Sequence, residues 1–243
     1  MIVKDMFIPF NEKNIVFARF LERPNRFIIR CKLEHSEDTV EAHLADSGRL
    51  KELLLPNKRL MLRSVDDPKR KTKFSSVAVE KENGPGWVSL NSNLPNELAK
   101  LAIENQFFSE LSHWSYVRSE FTKGNSRWDL LLENATSQML VEVKGVTLLS
   151  QDHVGLFPDA ITVRGTKHVK ELKQISRESG WEAAIIFVAQ RDDIHEIKTA
   201  EHIDPHFSAA LRDAKEAGVK LLAFNCSVTE KGISIQEKVK VSP

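Results

Sequence analysis

The stretch Asn125-Ser-Arg-Trp-Asp-Leu-Leu-Leu-Glu-Asn-Ala-Thr-Ser-Gln-Met-Leu-Val-Glu-Val-Lys-Gly145 reads as two apolar strands joined by a polar loop, Asn134 to Ser137. As an antiparallel hairpin it pairs Trp128 with Val143, Leu130 with Val141 and Leu132 with Met139, which predicts one wholly apolar face. Side chains alternate along a strand, and directly opposite residues share a face. Asp129 therefore stands opposite Glu142, and Arg127 opposite Lys144. A slip of one residue would scramble the apolar face, so the pattern itself selects the register.

Two facing carboxylates repel, and a divalent cation between them removes that penalty. Asp129 and Glu142, with the backbone carbonyl of Val143, form an all-oxygen donor set suited to Mg²⁺ or Mn²⁺. Lys144 lies on the same face, where it can orient or deprotonate a water. That set suits phosphodiester hydrolysis, in which a cation polarises the phosphoryl oxygen and developing charge needs stabilising. The spacing alone is weak, because E-x-K also occurs at Glu171-Leu-Lys173 and Glu196-Ile-Lys198. A second reading stays open, in which Asp129, Glu142, Arg127 and Lys144 are simply a salt-linked face.

Working outward, residues 14–90 alternate β-rich stretches with turn signals: Ile15–Leu21, Phe27–Leu33, Thr39–Leu44, Leu60–Val65 and Ser75–Glu80. Five short strands at this spacing predict a small β-barrel of the OB type, with an SH3-like barrel as the alternative. Pro24-Asn25 and Asp46-Ser-Gly48 read as turns. Glu82-Asn-Gly-Pro-Gly86 is the strongest breaker and predicts a boundary between domains 1–86 and 87–243. Beyond it, Asn96 reads as the cap of a helix running to about Leu111. Three strands follow (Trp114–Phe121, Arg127–Leu132, Met139–Val146), then a helix from about Thr166. Ala183–Ala189 is a strand buried on both faces. Asp204-Pro205 and Gly218 bound a third helix, and Val219–Phe224 is a further strand. The second domain is thus an α/β (α+β) unit, a mixed sheet flanked by helices.

Composition excludes several classes. At 41% hydrophobic and 28% charged residues, the chain is neither disordered nor collagen-like. Cys31 and Cys226 stand alone in apolar strands, which predicts buried thiols and no zinc ribbon or disulfide framework. Asp5 and the lack of an apolar core near the start predict no signal peptide, and no apolar run is long enough to span a bilayer. A cytoplasmic protein is expected. The formal net charge is +1, yet residues 1–90 carry +4 and residues 91–243 carry −3. The average therefore does not exclude a nucleic-acid partner.

Asp129 and Glu142-Val-Lys144 resemble the PD-(D/E)XK nuclease motif, and the predicted element order matches that restriction-endonuclease-like core. Nearly the whole chain is similar to the sugar fermentation stimulation protein family. The resemblance runs through Lys69-Arg-Lys71, Ser126-Arg-Trp-Asp129, Val141-Glu-Val-Lys-Gly-Val-Thr-Leu148, Phe157-Pro-Asp-Ala-Ile-Thr-Val-Arg-Gly-Thr-Lys-His168, Glu171-Leu172 and His202-Ile-Asp204. It implies an OB-like N-terminal barrel that binds DNA and a nuclease-like C-terminal domain, with RNA as an alternative partner and monomer or homodimer left open. It further implies Asp129 and Glu142 as ligands of one Mg²⁺ or Mn²⁺ ion and Lys144 as the catalytic lysine. Glu120, Arg164, Lys167 and His168 would support the site, the last three near a helix N-terminus that favours an anion. Two departures stand out. Leu101 occupies the first-helix position where a glutamate is expected, which puts a second ion in doubt, and Asp46 replaces an expected asparagine.

Arg19, Arg23, Arg26, Arg49, Lys69, Arg70, Lys71 and Lys73 are candidate phosphate contacts. A solvated surface is the plainer reading, since Asp66 and Asp67 lie beside the lysine cluster. Phe27 and Phe74 are candidates for stacking on bases, although their strand spacing suits a core equally well. His195 and His202 lack a third donor at metal-ligand spacing and read as surface residues. Three functions remain open: a metal-dependent nuclease, a non-catalytic DNA-binding regulator of sugar-utilisation genes on a nuclease fold, and a carbohydrate-binding barrel. One Tyr and four Trp make a sugar platform thin.

Overall fold

A computed structural model describes residues 6–46 and 48–243; Asp5 and Ser47 lie outside the described residues. The described residues begin with β1 (Phe7–Pro9) and continue with β2 (Ile15–Asn25), β3 (Ile28–Leu33), β4 (Thr39–His43), β5 (Arg59–Ser64), β6 (Phe74–Glu80) and β7 (Trp87–Ser89). Then come α1 (Leu94–Glu104), β8 (Ser115–Lys123), β9 (Ser126–Glu133), β10 (Gln138–Val146) and β11 (Val154–Phe157). The remainder is α2 (Val163–Ile175), β12 (Trp181–Ala189), β13 (Glu196–Thr199), α3 (Pro205–Glu216), β14 (Lys220–Thr229), β15 (Gly232–Lys238) and β16 (Lys240–Ser242).

Strands β4-β3-β2-β5-β6-β7 form one sheet, and β4 also pairs with β6 through Ala42↔Phe74 and His43↔Ser75. That pairing closes a five-stranded OB-like barrel and removes its exposed edges. The five predicted strands are all present, although β2 runs on through Pro24 and Asn25 instead of turning there. The predicted boundary needs correction. Glu82–Gly86 is the turn of the β6–β7 hairpin, with Lys81 N donating to the Gly86 carbonyl, so β7 stays with the barrel. At the other end β1 pairs with β15, so residues 7–9 belong to the second domain's sheet.

That second sheet has the order β1-β15-β14-β12-β10-β9-β8, parallel at β10–β12 and β12–β14 and antiparallel elsewhere. Strand β12 is covered on both faces, which is why Ala183–Ala189 carries no polar residue. Helix α1 packs on one face through Leu94, Leu98, Ala99, Ala102 and Ile103. Helices α2 and α3 pack on the other through Val169, Leu172, Phe207 and Leu211. The cluster around α1 also contains Met61, Val77, Ala78 and Trp87 from the barrel, so the two domains share one apolar core. Among the described residues no helix is long and apolar enough to cross a membrane.

Three further expectations are revised. Helix α1 starts at Leu94, with Asn93 at its N-cap and Pro95 in its first turn, so Asn96 is inside the helix and not its cap. The helix ends at Glu104, and Phe108 and Leu111 are buried beyond it around a short 3₁₀ turn. The short strands β11, β13 and β16 form a separate parallel sheet that periodicity over three or four residues did not reveal. Asp204 caps α3 as expected, accepting from Phe207 N at 2.9 Å, and its other oxygen accepts Thr162 N at 2.8 Å. One buried carboxylate thus ties together the starts of α3 and α2.

Docking of β1 depends on a close approach, because a Cβ at Gly232 would collide with the Ile8 carbonyl oxygen and the Phe7 ring. Gly232→Ala is expected to lower stability by about 1–3 kcal/mol, measured as a shifted urea midpoint.

Candidate active site between the barrel and the mixed sheet

The β9–β10 register is the predicted one: Leu132 pairs with Met139, Leu131 with Leu140 and Leu130 with Val141. The ladder stops there, one residue short of Asp129 and Glu142. Beyond that point the strands part, and Asp129 Oδ2 accepts the Val143 N–H at 2.7 Å in place of a ladder carbonyl. Asp129 Oδ1 accepts from Asn96 Nδ2 at 2.9 Å. The parting has a partner in β8, where Glu120 takes φ 56° between the pairs Ser119↔Leu130 and Phe121↔Trp128. Alternation breaks at this kink. Trp128 packs with Leu131 and Leu140 on the α2 side, so it does not share the face of Leu130 as predicted.

Glu142 is 4% exposed, and its Oε1 is 2.5 Å from Lys144 Nζ and 2.7 Å from His168 Nδ1. Arg164 Nε lies 3.5 Å from His168 Nε2. A guanidinium can only donate, so His168 carries its proton on Nδ1 and donates it to Glu142. The imidazole is buried against the Trp128 ring, with centroids 5.4 Å apart. The chain Arg164, His168, Glu142, Lys144 therefore binds α2 to β10.

The two carboxylates are pushed in opposite directions. Burial and then the Glu142 charge raise the Asp129 carboxyl above its ordinary value, against the bonds from Val143 and Asn96. Burial also acts to raise Glu142, but the bond from His168 and the nearby Lys144 ammonium together hold it below the ordinary range. The result is a dry, asymmetric pair.

The other expected participants are distributed as follows. Lys167 is exposed and paired with Glu171 at 3.5 Å. Glu120 does not join the acidic pair; it is exposed and 3.6 Å from Arg127, which also removes Arg127 from the postulated salt-linked face. Leu101 is half-buried, and α1 reaches Asp129 through Asn96 instead. No group of three His, Cys, Asp or Glu with metal-binding geometry occurs among the described residues. His195 and His202 are exposed, and Cys31 and Cys226 are buried free thiols, with Cys31 pushed up to about 12 by burial.

Strand register brings the Arg26–Phe27 turn, the segment after β4 and the loop from Val65 to Lys73 to one end of the barrel. Arg26, Arg49, Lys69 and Lys71 are exposed there. Arg23 is spent differently: its guanidinium donates to the carbonyls of Arg26, Asp46, Gly48 and Arg49 and so holds the loop in shape. Arg70 donates to Ser75 Oγ at 3.0 Å. Arg19 is paired with Glu34 at 3.0 Å. Phe27 is 48% exposed under Arg26, whereas Phe74 packs on the barrel core. This end of the barrel is tied to the second domain: Arg49 N donates to Asp159 Oδ2 at 3.0 Å and Ser92 Oγ to the Ala45 carbonyl at 3.1 Å.

Two family models match, one described as the sugar fermentation stimulation protein RE domain over residues 93–232 and one as the SfsA N-terminal OB domain over residues 21–90. The chain belongs to the sugar fermentation stimulation protein family. A homologue from Clostridium kluyveri is 40% identical over 230 residues, covering 94% of this chain and 97% of its own. Another from Clostridium acetobutylicum is 39% identical, covering 92% and 95%. Among solved structures, Pyrococcus furiosus SfsA in complex with Ca²⁺ superposes with a TM-score of 0.86 at 24% identity, over 99% of this chain and all of that one. In this family member, sequence reasoning missed Asn96 and Gln190 at the site. Asn96 carried a helix-cap signal that masked it, while Gln190 was legible as the polar residue ending a buried strand beside Glu142.

His168→Ala leaves a buried carboxylate short of a donor and is expected to cost about 1–3 kcal/mol in EDTA. Because Glu142 is held below its ordinary value, its contribution is present above the carboxylate range and lost as pH falls through the folded value. The deficit of His168→Ala should therefore narrow on acidification, as read from urea midpoints across pH.

Proposed function

We propose that this protein binds nucleic acid at the basic end of its barrel and hydrolyses phosphodiester bonds at Asp129, Glu142 and Lys144 with a divalent cation. The observation that carries the reading is the buried carboxylate pair with Lys144 and His168, in a chain whose barrel exposes Arg26, Arg49, Lys69 and Lys71 at the end that bonds to Ser92 and Asp159 of the second domain. Asp129 and Glu142, with the Val143 carbonyl, fit one hard cation. Burial and then the neighbouring Glu142 charge push the Asp129 carboxyl up, and such an ion would offset both. The Pyrococcus furiosus relative in complex with Ca²⁺ supports a divalent ion of this class, and we take Mg²⁺ or Mn²⁺ as the working ion. When bound, the ion supplies Lewis acidity toward a phosphoryl oxygen.

The protein's own groups then have separate tasks. His168 holds Glu142 in one rotamer through Nδ1–H, and Asn96 with the Val143 N–H holds Asp129. The Lys144 ammonium, mostly buried beside Glu142, is set to orient the attacking water and to stabilise charge developing on phosphate. Arg164 is exposed at the first turn of α2, where its charge adds to the positive end of the helix dipole. The barrel would track the backbone electrostatically, with Phe27 available for a base.

Cleavage of labelled single- and double-stranded DNA and RNA in Mg²⁺, Mn²⁺ or EDTA tests this. Asp129→Ala, Glu142→Ala and Lys144→Ala should each lower the rate roughly a hundredfold or more, and EDTA should abolish it. Binding without any cleavage would favour the DNA-binding regulator instead. Separately, Arg49→Ala and Lys71→Ala should weaken binding to all sequences alike. Each should reduce the slope of log affinity against log salt by about one, read by anisotropy titration.

A further inference from the structure

Ile161 is 71% exposed and Val163 80%, whereas the next large apolar side chain among the described residues, Phe27, is 48% exposed. The two flank Thr162, which is anchored. Its N–H donates to Asp204 Oδ2 at 2.8 Å, and its hydroxyl accepts Gly165 N at 3.1 Å. Asp204 is 2% exposed and also caps α3, so this segment is tied to two helices at once. With Thr162 held there, its aliphatic neighbours stand out from the surface as a fixed ridge.

The ridge lies between two hollows. On one side Ile161 borders a cleft of about 360 Å³ with Asn96 and Val143, the two residues that bond Asp129. On the other, Ile161 and Val163 border a hollow of about 530 Å³ that also has Lys167 and Lys170 in its wall. Arg164 follows Val163 and is 3.5 Å from His168, one side chain removed from Glu142. Arg164, Lys167 and Lys170 are all exposed. The acids on this side are already engaged, Asp204 with two backbone N–H groups and Glu171 with Lys167. The ridge is therefore apolar at its crest, positive on its α2 side and continuous with the catalytic cleft.

Aliphatic side chains held in water carry a cost that contact with an apolar surface removes. A polyanion that reaches the carboxylate pair passes this crest, and the three cations favour one. Glu142 is 4% exposed, so a straight duplex has to bend or open to bring a phosphate to it. Branched aliphatic side chains are not flat enough to stack on a base as an aromatic ring does. They enter between base pairs instead, unstack the step and kink the duplex. We propose that Ile161 and Val163 are a wedge that opens one base step of a bound duplex beside the scissile phosphate. Arg164, Lys167 and Lys170 hold the backbone next to the opened step. This rests on the nucleic-acid reading above and narrows its substrate to duplexes that kink.

The test uses a duplex of alternating thymine and adenine, whose pyrimidine–purine steps unstack readily. Every second adenine is replaced by 2-aminopurine, which brightens when it unstacks. The full chain is titrated to saturation in Ca²⁺ buffer and in EDTA, with occupancy followed by the anisotropy of an end label. The saturating wild type should raise 2-aminopurine emission roughly twofold or more. Ile161→Ser combined with Val163→Ser should abolish the rise at saturation, and Ile161→Leu, which stays aliphatic, should keep it. Saturation without a rise, or a rise that persists in the double variant, would overturn the wedge while leaving nucleic-acid binding intact. Binding to single-stranded oligothymidine but not to the duplex would do the same. No binding to either would remove the nucleic-acid reading and the wedge with it. A wild-type dimer, or wild-type binding to phosphatidylserine vesicles, that the double variant loses would also overturn the wedge and assign the ridge to a second copy or to lipid.

Discussion

Two carboxylates out of water on neighbouring strands repel each other, and the structure around Asp129 and Glu142 is arranged to bear that repulsion. Glu142 receives a proton donor from α2 and an ammonium from its own strand. Asp129 receives a backbone N–H, freed because β9 and β10 separate, and an amide from α1. Helices α1 and α2 supply one group each and β10 supplies two. Breaking any of them leaves a buried charge short of a partner, which costs more than an exposed ion pair gains. The kink at Glu120 and the turning of Trp128 toward His168 follow from the same separation of strands.

The barrel is fixed to this site by packing and not only by a linker. Met61, Val77, Ala78 and Trp87 lie on its outer surface and enter the cluster formed by α1 and Phe224. Lys81 pairs with Asp192, and Ser89 N donates to the Gln190 carbonyl at 3.0 Å. A shared apolar core sets the spacing between the basic end of the barrel and the carboxylates, so the cleft between them has a defined shape. Arg23 contributes by shaping the loop rather than by meeting a ligand. The overall charge of +1 hides this arrangement because it averages a barrel segment of +4 (residues 1–90) with a remainder of −3 (residues 91–243).

Much of this was readable in the sequence, for a local reason. Only one register of the hairpin keeps Leu130, Leu132, Met139 and Val141 together on one face, and it carries Asp129 and Glu142 to the point where the strands part, one residue beyond the last pair Leu130↔Val141. Barrel strands, helix caps at Asp204 and the buried strand at Ala183–Ala189 are likewise encoded by neighbours in the chain. What failed was either short or non-local. Strands β11, β13 and β16 are too brief for a period to emerge. The signal at Glu82–Gly86 is a true turn, but a turn does not say whether the next strand rejoins the same sheet.

By itself, then, the sequence determined the register, and with it the identity of the carboxylate pair and its lysine, since alternation along a strand is a property of the backbone. Only the tertiary structure decided which partners those charges have. His168, Asn96 and Gln190 come from three elements distant in the chain, and Glu120 turns out to Arg127. Contacts of that kind depend on how helices and the barrel pack against the sheet, and packing follows from whole apolar faces rather than from any spacing between two residues.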